Sequence, residues 1–129
     1  MNLLRSIIQE AISESEIKEI SVENFIERLA QENGEKLFVI DVREPGEYEQ
    51  DNIAGLNIPF GDVLERIREI PQHIPVVVHC KSGRRSGDAI KILKSKGFNN
   101  LTNLTGGLDA LRGVTNCPCV ATKVKEAMT

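Results

Sequence analysis

The sequence predicts an α/β fold: a mostly parallel central sheet flanked by helices on both faces. Three observations point there. Short apolar runs rich in β-branched side chains alternate with stretches of about ten residues whose apolar positions recur at helical spacing. Strands separated by such stretches need crossover connections, which make neighbouring strands parallel. At 129 residues the chain can hide roughly two-thirds of its surface, enough for one core without metals or disulfide staples.

Residues 1–16 pair their apolar positions (Leu3/Leu4, Ile7/Ile8, Ala11/Ile12) with polar residues between them. That is an amphipathic helix and not the unbroken apolar run of a signal peptide. We read it as an N-terminal helical extension that packs on the domain's own surface, with partner docking as the other use. Ser21 is a plausible N-cap for a helix over 22–32, with Val22, Phe25, Ile26 and Leu29 on one face and Asn33-Gly34 at its end. Leu37 to Val42 reads as a buried strand, and Arg43-Glu44-Pro45-Gly46 as a turn. Leu56-Asn57-Ile58 is a second short strand stopped by Pro59. Val63, Leu64, Ile67 and Ile70 suggest a helix closed by Pro71. Pro75 to Cys80 is the strongest strand in the sequence. A helix carrying Ala89, Ile90 and Leu93 follows and ends at Gly97. Leu101 to Leu104 is the last strand, and Gly106-Gly107 opens a short final helix. Residues 116–129 are small and polar and are expected to form a partly loose C-terminal tail.

Composition narrows the function. Apolar residues make up 40% and charged residues 27%, which excludes collagen, a coiled coil and a disordered tail. Lys and Arg number 16 against 19 Asp and Glu, a net charge of −3. A general nucleic-acid binder should be basic, so no nucleic-acid partner is expected. No apolar run approaches the ~20 residues of a membrane span. The three cysteines do not make a disulfide scaffold, and a cytoplasmic location is the simplest expectation.

The chemical signal is Val78-His79-Cys80-Lys81-Ser82-Gly83-Arg84-Arg85-Ser86. An apolar strand ends on a cysteine; a small basic loop follows, and a helix begins. In a parallel α/β fold, ligands bind beyond the strand C-termini. Amides of a tight loop can point inward and cradle an anion. The helix N-terminus adds about half a positive charge, and Lys81, Arg84 and Arg85 add formal charge. Cysteines so placed titrate at about 3.5–7.5 instead of about 8.5. Gly83 permits a positive φ in the turn. The competing reading is a buried strand-end cysteine beside a solvated basic face.

This segment resembles the active-site loop of rhodanese-like domains, in which arginine follows the cysteine after four residues. Asp41 to Tyr48 and Asn52 to Pro59 resemble two further motifs of that family, and Lys96-Gly97-Phe98 with Leu104 to Leu108 resembles its C-terminal signature. The resemblance covers residues 17–115, leaving 1–16 and 116–129 as extensions, and implies the rhodanese-like form of the predicted fold. Asn52 stands where many members have histidine, and Leu111 where many have tryptophan. The Asn-Ile-x-Gly form and His79 are more similar to rhodanese domains fused to enzymes that activate sulfur-carrier proteins.

The resemblance implies a sulfurtransferase. Cys80 would take sulfane sulfur from a donor such as thiosulfate or a persulfide and pass it to a thiophilic acceptor. It implies Cys80 as nucleophile and Lys81, Ser82, Gly83, Arg84 and Arg85 as the substrate-binding loop. Within that loop Arg85 is expected to contact the anion, while Lys81 and Arg84 point outward. Partners consistent with this are a small anionic sulfur donor and a protein donor or acceptor, such as a sulfur-carrier protein or a cysteine desulfurase. No metal or organic cofactor is implied. The alternatives are a catalytically silent binding or regulatory module on the same fold, and a phosphatase. The phosphatase is disfavoured because phosphatases resembling this loop place five residues between cysteine and arginine.

Other residues invite simpler readings. Arg43 and Glu47 are expected to form an ion pair; Asp41 could hydrogen-bond backbone near the cysteine loop, but at a strand end that is usually structural. His79 should be a hydrogen-bonded core residue, since strand neighbours point to opposite faces. Cys117 and Cys119 are expected to be incidental thiols in a flexible tail, with a sulfur relay or redox role as the alternative. Two thiols make a weak case for zinc, which normally takes four ligands.

Overall fold

The structure is a computed structural model and describes residues 3–5, 7, 16–31 and 35–129. Its centre is a five-stranded, all-parallel sheet ordered β1-β5-β4-β2-β3. The strands are β1 (Lys18–Ile20), β2 (Phe38–Asp41), β3 (Leu56–Asn57), β4 (Val76–His79) and β5 (Leu101–Leu104). The helices are α1 (Val22–Ala30), α2 (Pro45–Gln50), α3 (Arg84–Ser95), α4 (Gly107–Val114) and α5 (Cys119–Met128). Among the described residues no helix is long and apolar enough to cross a membrane.

Strand alternation sorts the core into two layers. On one face Ile40, Val76, Val78 and Cys80 pack with Ala89, Ile90 and Leu93 of α3. On the other, Val39 and Val77 pack with Phe25 of α1, Leu108 and Leu111 of α4, and Val120 and Val124 of α5. All four residues of β4 are buried, because it is central and covered on both sides. Ser21 caps α1 through its hydroxyl, which accepts the Asn24 amide at 3.1 Å.

Several expectations need correction. The tail is not loose: residues 119–128 form α5, whose Val120 and Val124 are buried in the second layer. Its apolar positions lie four apart, a signal that the surrounding small and polar residues obscured. The turn at 43–46 opens a helix, because Pro45 occupies its first position with φ already set for helix. The stretch from Val63 to Ile70 is not an α-helix but a turn over 63–66 leading into a 3₁₀ turn at Ile67–Glu69, with another 3₁₀ turn before it at Phe60–Asp62. The spacing of Leu64, Ile67 and Ile70 is three, which is the 3₁₀ period. Arg66 also folds back on this segment, donating to the Asn57 carbonyl at 3.1 Å and to Glu69. Edge strand β1 was not foreseen; its residues are exposed or half-buried and carry little apolar pattern. The helical extension over 1–16 falls mostly outside the described residues; Leu3, Leu4 and Ile7 are helical and exposed. Helix α1, expected over 22–32, ends at Ala30 with Gln31 as its C-cap, and the expected stop at Asn33-Gly34 lies outside the described residues.

Candidate active site

Cys80 follows the last residue of β4 and precedes a turn of three residues that leads into α3. Gly83 caps that helix with φ +98°, a conformation a side chain would strain. The turn aims backbone amides at sulfur. Gly83 N–H donates to Cys80 Sγ at 3.1 Å, and Ser86 N–H does so at 3.4 Å. The Ser86 hydroxyl lies 3.3 Å from Sγ and donates to Asn103 Oδ1 at 2.6 Å. Asn103 is held in turn, donating to the Glu19 carboxylate and to the Gly83 carbonyl. A chain of polar groups thus runs from β1 through β5 to the sulfur.

Burial pushes the Cys80 thiol up, since residue 80 is only 1% exposed. The Ser86 hydroxyl and the amides of Ser86, Gly83 and Ser82 push it down, and together they win. The thiol therefore sits below its ordinary value, as an anion-binding cradle requires. The loop is braced from α4. Leu108 N–H donates to the Cys80 carbonyl at 2.9 Å and Asp109 N–H to the Lys81 carbonyl at 3.0 Å. Gly107 is needed for this contact: a Cβ there would lie 2.5 Å from the Cys80 oxygen.

Of the charged loop residues, Lys81 and Arg84 are exposed, as is Ser82, while Gly83 and Arg85 are half-buried. Arg85 is committed to Glu47, with paired contacts of 2.7 and 3.1 Å. Those hydrogen bonds raise the Arg85 pKa above the usual guanidinium value, with a smaller contribution from the charge on Cys80. They also hold the Glu47 carboxyl down at about 2.

This changes the partner expected for Arg43. Its guanidinium does not pair with the Glu47 carboxylate but with buried Asp41, at 2.7 Å, and it reaches the carbonyls of Glu47 and Asp51. Asp41 spends its oxygens on the Arg43 side chain and the Arg43 amide, not on the cysteine loop. The exchange follows from reach. Asp41 and Arg43 are two apart on a strand end and share a face, whereas Glu47 lies on α2 towards the loop.

His79 is fully buried, and its Nδ1 faces the Cys80 carbonyl at 3.4 Å. Its Nε2 lies 3.7 Å from Asp41 and makes no hydrogen bond. Burial lowers its pKa, only partly opposed by Asp41, which disfavours the charged ring. Val77 and His79 have side chains opposite to those of Val78 and Cys80, so His79 is no base for the thiol.

The sequence reading missed Ser86, Asn103 and Glu19. Ser86 was visible as the residue after Arg85, one turn into a helix that begins at the cradle. Asn103 and Glu19 carried no signal, because only the β1–β5–β4 order brings them beside β4. Cys117 and Cys119 are not loose thiols but a disulfide across Pro118, and Cys80 is a free cysteine.

Comparison with known proteins agrees with this geometry. The model of the rhodanese-like domain matches residues 21–113. A protein of Allochromatium vinosum named sulfurtransferase is 36% identical over 95 residues, covering 73% of this chain and 87% of that one. A putative sulfur carrier protein of Bacillus subtilis, YrkF, is 37% identical over 102 residues. That match covers 78% of this chain but 54% of the relative, so the chain spans about half of that protein's length. The crystal structure of a rhodanese-related protein from Thermoplasma volcanium superposes with a TM-score of 0.67 at 26% identity, covering 75% of this chain and 92% of that one. Motif order, sheet topology and family match agree: this chain belongs to the family of rhodanese-like domains.

Proposed function

We propose that the chain is a sulfurtransferase that works through a persulfide on Cys80. One observation carries this reading: a strand-end sulfur receives two backbone N–H groups, from Gly83 and Ser86, at the mouth of a helix. The relative named sulfurtransferase supports it.

In the first half-reaction the Cys80 thiolate attacks the outer sulfur of thiosulfate. A bond forms between Sγ and that sulfur, the original S–S bond breaks, and sulfite departs with the electron pair. The amides that held the thiolate then face the new anionic persulfide. In the second half an acceptor thiolate or cyanide attacks the outer sulfur, and Cys80 leaves as thiolate. This is covalent catalysis in two displacements and gives ping-pong kinetics.

Arg85 is assigned to the anionic end of the donor. Its guanidinium stands against Glu47 in the resting site, so a donor competes with that ion pair or shares it. Exposed Lys81 and Arg84 draw anionic donors or an acidic protein towards the loop, while Ser82 and Gly83 supply its turn. A small anionic sulfur donor suits the buried sulfur; a sulfur-carrier protein or a cysteine desulfurase suits the exposed rim. A reducing, cytoplasmic setting suits the free Cys80 thiol, and in it the exposed Cys117–Cys119 bond would be a transient one.

The test is incubation with thiosulfate followed by cyanide. The expected results are thiocyanate release by the wild-type chain, none by Cys80→Ser, and a mass gain of one sulfur atom at residue 80 before cyanide is added. Neither thiocyanate nor the adduct, with a protein partner still bound, would establish the silent binding module instead.

A further inference from the structure

A second sulfur centre lies away from the Cys80 loop. Cys117 and Cys119 are bonded to each other with Cα atoms 5.1 Å apart. Cys119 is exposed and Cys117 half-buried. The bridge closes a loop over a single intervening residue. Stabilisation by a cross-link grows with the length of loop it closes, so this one restricts the unfolded chain little. The fold does not rely on it either, because buried Val120 and Val124 already anchor α5. A bond with small structural return at an exposed position is open to thiol–disulfide exchange.

The surroundings favour thiolate chemistry at the pair. Cys119 is the first residue of α5, where the helix end favours negative charge. Its amide donates to Cys117 Sγ at 3.2 Å. Pro118 fixes the short turn between the two cysteines. Beside them opens a polar cleft of about 430 Å³, lined by Asp51, Asn52, Arg112, Asn116, Cys117 and Pro118. That is room for a small polar thiol compound.

We propose that Cys117 and Cys119, as a dithiol, reduce the persulfide of a small polar thiol to hydrosulfide. The Cys117 thiolate attacks the outer sulfur of the protonated persulfide RSSH, whose proton stays on that sulfur. A bond forms to Cys117 Sγ, the persulfide S–S bond breaks, and RS⁻ leaves. The Cys119 thiolate then attacks Cys117 Sγ. The Cys117–Cys119 bond forms and hydrosulfide departs with the electron pair. The outer sulfur is reduced by two electrons and the two thiols are oxidised to the disulfide of the structure. A dithiol reductant, itself oxidised to a disulfide, restores the pair.

The inference rests on the proposed Cys80 chemistry only for the supply of the persulfide. Direct hand-over within a chain is not available. Cys80 contacts the first turn of α4 through Leu108, and Cys117 lies beyond that helix's other end. Eight helical residues span about 12 Å at 1.5 Å per residue. A diffusible thiol is therefore the carrier.

The test uses the full chain carrying Cys80→Ser, reduced with dithiothreitol and freed of it, then mixed with glutathione persulfide. The expected result is about one equivalent of hydrosulfide per chain above a Cys80→Ser/Cys117→Ser/Cys119→Ser control, with a disulfide mapped to 117–119. Cys119→Ser in the Cys80→Ser chain should stop with an added sulfur on Cys117. Cys80→Ala replaces Cys80→Ser should serine disturb the loop. Hydrosulfide equal to that of the triple variant overturns the proposal. Thiosulfate:cyanide turnover of Cys117→Ser/Cys119→Ser, expected to equal wild type, reports separately on the Cys80 reading.

Discussion

Arg43 and Arg85 grip the same residue from two sides. Arg43 donates to the Glu47 carbonyl, and Arg85 holds its carboxylate. Their settings differ. The Arg43 side chain is 5% exposed and its partner Asp41 is fully buried, whereas Arg85 and Glu47 are each about a third exposed. A buried pair cannot be separated without stranding a charge in low dielectric. A half-exposed pair separates cheaply, because water takes over from either partner. The first arginine therefore fixes the path from β2 to α2, and the second can turn to a ligand. One carboxylate and one carbonyl of the same residue join the scaffold to the site.

Substitutions can break or sharpen that contrast. Arg43→Met leaves Asp41 buried without its partner and should cost about 3–5 kcal/mol of stability, read from urea midpoints. Gly107→Ala puts a methyl against the Cys80 and Lys81 carbonyls at 2.5–2.6 Å. It should cost about 1–3 kcal/mol and also lower turnover, because α4 braces the cradle. Arg85→Met should leave stability within about 1 kcal/mol. Its effect should fall on the thiosulfate KM, raised at least about tenfold through loss of a charged hydrogen bond worth about 1.5–3 kcal/mol. An Arg85 variant as unstable as the Arg43 variant would erase the distinction.

Glu47→Gln should have the smallest effect and the most telling sign. It frees Arg85, so the thiosulfate KM should fall a few-fold while stability moves by less than about 1 kcal/mol. Its pH behaviour differs as well. The Glu47 carboxyl is lowered from 4.5 to about 2 in the folded chain. The ionised carboxylate therefore adds stability that is complete above 4.5 and lost as pH falls towards 2. Stability curves of wild type and Glu47→Gln should converge across that window. Curves that stay parallel would show that the pair contributes nothing to folding.

Legibility in the sequence followed the range of the interactions. The central strands, the cysteine at the end of β4 and the glycine of its turn were readable because β-branched runs and turn residues act locally. The parallel arrangement followed from alternation of strands and helices. The partner of Glu47 was not readable: Arg43 is near in sequence, but Arg85 comes from another crossover 38 positions away. Asn103 and Glu19 were hidden for the same reason, since their contact spans 84 positions. Helix α5 failed differently. Its buried pair, Val120 and Val124, is too small to outweigh polar neighbours in a sequence pattern, yet it suffices once a sheet face is there to receive it.

The central claim is that the amides of Gly83 and Ser86 hold the Cys80 thiol below its ordinary titration range. The direct measurement is the rate of Cys80 alkylation by iodoacetamide as a function of pH, with the modified residue mapped by mass. The account predicts a rate that levels off below about 8.5, the ordinary cysteine value. A rate still climbing through that pH, or no reaction at residue 80, would contradict it.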